Sequence, residues 1–108
     1  MDLNLFKMGY FIVFRAGNSW LSQVIKREQE KEGFCPEHSE YTHVEVCGGG
    51  LYSVGAVWPH SKVMNFVKKH KGRHIRLVKF AVEGYEEKPG AKVAFYSASM
   101  CNLPYGWW

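Results

Sequence analysis

The chain has no uninterrupted apolar run near the roughly 18 residues that a membrane-spanning helix needs, so no membrane span is expected. Its opening, MDLNLFKMGYFIVF, lacks the basic stretch and small-residue cleavage site of a secretory signal. Three cysteines, odd in number and irregular in spacing, do not make a disulfide framework. These absences predict a soluble, cytoplasmic protein. No internal repeat, low-complexity tract or linker is present, which predicts one domain over residues 1–108. Most of the acid lies in Glu28 to Glu45 and Glu83 to Glu87, whereas KKHKGRHIRLVK, Lys68 to Lys79, carries six Lys or Arg, two His and no acid.

The chain does have core-forming residues. Hydrophobic residues make up 46% and aromatic residues 16% of 108, enough for a single core and against disorder. GYFIVFR, bounded by Gly9 and Gly17, reads as a buried strand. NSWLSQVIKREQEKEG reads as a helix capped by Asn18 or Ser19 and stopped at Gly33, with Trp20, Leu21, Val24 and Ile25 packing its first half on a sheet. FCPEHSE reads as a loop. YTHVEVC is a strand with Thr42, Val44 and Val46 toward the core and His43, Glu45 and Cys47 on the other face. Gly48 to Gly50 turn it into a partner strand, Leu51 to Val57. A short helix is expected from Pro59, capped by Ser61, burying Val63, Phe66 and Val67 and ending at Gly72. A strand over His74–Val82 and a helix over Ala91–Met100 with Val93, Ala94 and Ser97 or Ala98 inward complete the order. The pattern predicts an α+β domain: a small antiparallel sheet or partial barrel packed with helices.

His43 is the residue with most chemistry to assign. It could be a half-buried strand histidine held by water or Glu45. It could bind zinc within the array Cys35, His38, His43, Cys47, although the last two would sit about 13 Å apart at opposite ends of one strand. It could be the base for a thiolate, for which Cys35, Cys47 and Cys101 are the thiols at hand, none of them placed at a helix N-terminus. The basic run, Lys68, Lys69, Lys71, Arg73 and Arg76, offers a different function, binding of a polyanion, with Tyr52, Trp58 and Trp107 as aromatic neighbours. No nucleic-acid signature accompanies it, and the solvated-surface reading of such a run is the commoner one.

Taken in order, the segments resemble circularly permuted NlpC-type papain-like proteins. GYFIVFRAGNSWLSQVIKRE is similar to the family's opening strand, polar turn and helix with an S-x-x-I element, here Ser22 to Ile25. EYTHVEV is similar to its Y-S-H-hydrophobic strand, GGGLYSVGAV to its glycine hairpin, and NLPYGWW to its G-x-P-Y-D-W element. The resemblance implies a papain-like fold and a cysteine hydrolase, an amidase, peptidase or acyl-ester hydrolase acting on a small-molecule, peptide or lipid substrate. His43 takes the catalytic histidine position, Ser53 on the neighbouring strand that of its orienting partner, and Glu45 and Tyr52 the substrate groove. In the family the nucleophilic cysteine follows the P-Y-D element, whereas Cys101 precedes NLPYGWW and is a poorer candidate nucleophile. The 108-residue form is therefore expected to be an incomplete domain, inactive alone and self-associating, as a homodimer, through the uncovered histidine face and Trp107 and Trp108. No cofactor and no metal are expected.

Overall fold

Ile12 and Phe14 are the most enclosed large apolar side chains of FIVFR, and they anchor strand β1, Phe11–Arg15. The structure, a computed structural model, describes residues 3–57 and 60–101. After a short 3-10 turn at Leu3–Leu5 and β1 come helix α1 (Trp20–Lys31), a single helical turn α2 (Pro36–Ser39), and strands β2 (Tyr41–Gly49), β3 (Tyr52–Val57) and β4 (His60–Asn65). A short helix α3 (Phe66–Lys69), strand β5 (Ile75–Val78) and helix α4 (Lys88–Ser99) follow. The strands form one antiparallel sheet in the order β4-β3-β2-β1-β5. This is the α+β architecture expected from the element order. No helix among the described residues is long and apolar enough to cross a membrane.

Register decides which face of β2 is inside. Ile12 pairs with Glu45 and Phe14 with His43, so these polar residues share the face of the two enclosed side chains of β1. That face meets Phe6 and Phe66, whose rings lie 5.2 Å apart, and includes the fully buried Cys47. The expected orientation of β2 is thus corrected: Val44, opposite Val13, is exposed, while Glu45 and Cys47 are buried. Two valines in alternation read as a core face, but the pairing with β1 puts them on the more open side of the sheet.

Three further expectations are revised. Ser61 to Asn65 is not helical. The alternation of Val63 with Met64 pairs this stretch with β3, Val54 opposite Val63 and Ser53 opposite Met64. The helix starts only at Phe66, capped by Asn65, whose side chain accepts from Lys68 N–H, while Ser61 donates to the carbonyl of Met100. Cys35–Ser39 is not a plain loop, because Pro36 fits the first turn of a helix as well as it breaks a strand. Ser19 does cap α1, and Gly33 at φ +94° ends it, but the helix buries no side chain completely and Trp20 is 78% exposed.

Helix α4 begins three residues before the expected start, with Pro89 in its first turn. Its Gly90 lies against the backbone of the chain entering β1. A Cβ on Gly9 would sit 2.5 Å from the Gly90 carbonyl oxygen, and one on Gly90 would overlap the Met8 carbonyl. Tyr85 ties the same corner, donating from its hydroxyl to Gly9 O at 2.7 Å. Ala94, buried, comes next along α4, and the groove beside it runs over Val54 and Val63 on the face opposite His43. The expected helix at Pro59, Trp58, and the NLPYGWW stretch with Trp107 and Trp108 fall wholly or partly outside the described residues.

Candidate functional site

A strand fixes side chains two residues apart on one face, and that is how His43 and Glu45 come together. The Glu45 carboxylate is enclosed by protein, and three groups converge on it. His43 Nε2 lies 2.8 Å and His70 Nε2 2.7 Å from Oε2, and Ser53 Oγ donates to Oε1 at 2.7 Å. Ser53 comes from β3, opposite Cys47 in the register. His70 arrives from the C-cap of α3, brought there by Phe66, which is buried one turn earlier. The two imidazoles pack on Phe14, with ring centroids 5.5 Å and 4.2 Å from its own.

Space for the carboxylate is made by a glycine. Gly55 on β3 carries no side chain where a Cβ would stand 2.5 Å from Glu45 Cγ and 3.0 Å from its Cδ. A glycine inside a strand marks such a close approach. Burial pushes the Glu45 carboxyl upward, but the hydrogen bonds from His43, Ser53 and His70 outweigh it and hold the group below the usual carboxylate range. The carboxylate is therefore ionised at neutral pH. Each imidazole turns its Nε2 edge to this anion, so Nε2 carries the proton in a neutral ring and Nδ1 is the free base. No hydrogen bond to His43 Nδ1 is present among the described residues. Nor is that atom sealed off, since every buried side-chain nitrogen and oxygen among them has a partner, and 26% of the His43 side chain is exposed.

The expected site residues are thus partly gathered and partly scattered. His43 is partly exposed with its Nε2 on Glu45, and Ser53 does not touch it but donates to the far oxygen of Glu45. Glu45 is too enclosed to line a groove, and Tyr52, 55% exposed, lies on the other face beside α4. Cys101 follows the end of α4, Cys35 is exposed at the start of α2, and Cys47 is buried, which pushes its thiol pKa up. No thiol hydrogen-bonds either imidazole among the described residues. The array Cys35, His38, His43, Cys47 does not converge, whereas one ligand atom each from His43, Glu45 and His70 all lie within 4.8 Å of one another.

The basic run is divided. Lys68, Lys69 and Lys71 are exposed. Arg73 stacks over Phe14 at 5.5 Å and donates to the Arg15 carbonyl, and Arg76, on the Val13 side of the sheet, stacks over Tyr41 at 4.9 Å. Two of the five cations are thus occupied in packing, and the five do not make one patch. His70 and Gly55 are the site residues that sequence reading passed over. Gly55 had a signal, a lone glycine in a strand; His70 had none beyond its residue type. Comparison with protein-family models, curated proteins and solved structures gave no match.

Proposed function

We propose that this chain is the histidine-bearing part of a papain-like cysteine hydrolase of the permuted NlpC type, acting on an amide or ester bond of a small-molecule, peptide or lipid substrate. The observation that carries the proposal is the 2.8 Å contact from His43 Nε2 to the buried Glu45 carboxylate, with no hydrogen bond to Nδ1 among the described residues. A carboxylate in that position fixes the tautomer and the ring plane and offsets the positive charge the ring gains when it accepts a proton. His43 Nδ1 takes the proton of an approaching thiol, the thiolate attacks the substrate carbonyl, and the imidazolium returns the proton to the leaving amine or alkoxide. The acyl thioester that remains is released by water on the same base.

The half-site is testable with a thiol added from solution. Transfer of an acyl group from a p-nitrophenyl ester to 2-mercaptoethanol should be accelerated by the protein, and His43→Gln should bring the rate down to that of buffer and thiol. General-base assistance of this kind contributes about 10²–10⁴-fold, which sets the scale of the loss. Unchanged acceleration by the variant defeats the proposal.

Self-association belongs to the same proposal, through a different surface from the one first expected. Phe95 and Tyr96 on α4 and Met100 at its C-cap are 76%, 65% and 54% exposed, and Phe95 shares a groove with the half-open Val63 of β4. Light scattering should report a dimer that Phe95→Glu turns into a monomer; a wild-type monomer at high concentration sinks the idea.

A further inference from the structure

We propose that His43 Nε2, His70 Nε2 and Glu45 Oε2 form a binding site for a first-row divalent cation of the zinc type. Two imidazoles and one carboxylate are a donor set that zinc takes with a fourth position left to water. The three atoms already face one point. Oε2 lies 2.8 Å from one Nε2 and 2.7 Å from the other, and all three lie within 4.8 Å of one another. Metal–ligand bonds of about 2.0–2.2 Å in a tetrahedron set ligand atoms about 3.4 Å apart, so the two nitrogen–oxygen contacts need to open by about 0.6–0.7 Å. With the ion in place each Nε2 gives its lone pair and its proton moves to Nδ1.

The surroundings hold the donors as a metal site requires. Ser53 donates to Oε1 at 2.7 Å, which fixes the carboxylate plane and leaves Oε2 as the single oxygen presented. Phe14 supports both rings, and the missing side chain of Gly55 gives the carboxylate its place. Charge argues the same way. Among the described residues the enclosed carboxylate has two imidazoles and a hydroxyl as partners and no Lys or Arg, so a cation supplies compensation that otherwise needs a protonated histidine.

This site goes beyond the hydrolase reading and does not depend on it. An ion on Nε2 takes the edge of His43 that Glu45 orients, so the metal-loaded protein and the base-active protein exclude each other.

The test needs no substrate. Chelator-treated protein is titrated with Co²⁺ and then Zn²⁺, read by calorimetry and by visible absorption. One equivalent of Co²⁺ should bind, give a visible band without the near-ultraviolet band of a thiolate ligand, and be displaced by Zn²⁺. Ser53→Ala should weaken binding by about 10-fold, the low end for loss of a supporting hydrogen bond, and His70→Gln by more than 100-fold. The pair Cys35→Ser and Cys101→Ser should leave it unchanged. Circular dichroism checks that each variant is folded, and Ser53→Ala carries the test if His70→Gln is not. Absence of saturable binding by the wild type, a thiolate band, or full affinity in His70→Gln overturns the proposal.

Discussion

Gly55→Ala is expected to destabilise the protein by about 3 kcal/mol, although the same exchange at an unhindered position of a strand costs nothing or helps. The new Cβ would stand 2.5 Å from Glu45 Cγ and 3.1 Å from Oε2. A flexible surface glutamate would swing away, but this one is held at both oxygens by His43, His70 and Ser53. Crowding a packed interior by one methyl costs about 1–3 kcal/mol. If the carboxylate instead shifts off its imidazoles, a buried charge loses its partners, for which about 3–5 kcal/mol is typical. Either route leads to a large loss, read as a fall in the urea midpoint at constant slope. The cause is separable. In Glu45→Ala there is no Cγ to strike, so the added cost of Gly55→Ala should largely vanish in the double variant, a coupling of more than about 1 kcal/mol. A neutral Gly55→Ala, or strictly additive effects, would show that the glycine is not making room for Glu45.

How far the fold was legible follows from where each signal lies. The entry into β1, the Ser19 cap and Gly33 stop of α1, and the glycine turn between β2 and β3 are local events carried by a few adjacent residues, and these were readable. The extent of α3 was not. Val63, Phe66 and Val67 are spaced for a helix face, yet Val63 and Met64 are also good strand residues, and β3 supplies the partner that settles the choice. The two faces of β2 were inverted for a similar reason. Alternation says which residues share a side; only the strand across, with Ile12 and Phe14, says which side is covered.

The site was legible at His43, which sits in a strand before a glycine turn, and much less so at its partners. Glu45, two residues on, is readable as a partner of His43 or a groove residue, but its full burial is not, because acids are seldom buried without partners. Its partners are remote: Ser53 eight residues away and His70 twenty-five. Neither is marked by spacing, because the contact is made by strand pairing and by the docking of Phe66. The basic run misled in the opposite direction. It is continuous in sequence, but β5 alternates and the turn before it reverses the chain, so Arg73 and Arg76 end on different sides of the sheet.

The pH dependence of stability should reveal the buried carboxylate directly. Glu45 has a folded-state pKa below its ordinary value because His43, Ser53 and His70 hydrogen-bond the anion against the opposing effect of burial. A group depressed in this way stabilises the fold fully at pH above its unfolded value and loses that contribution as pH falls through the folded value. Wild-type stability should therefore be level in this respect from neutral pH down to the ordinary carboxylate range and should drop below it. Glu40, beside Arg15, and Glu86, which takes the Tyr10 hydroxyl, are depressed too and titrate in the same window. The comparison must then be with Glu45→Gln, which keeps the shape and those other groups but removes this one titration. At pH 7 the variant should be less stable by about 3 kcal/mol, the low end for breaking a buried charged pair. The gap should narrow steadily as the pH is lowered past about 4, once the wild-type carboxylate takes up its proton. Urea unfolding of both proteins from pH 7 to pH 3 measures it. Parallel curves, with the gap the same at every pH, would mean that Glu45 is not ionised in the folded protein, and the dyad with His43 would fall with it.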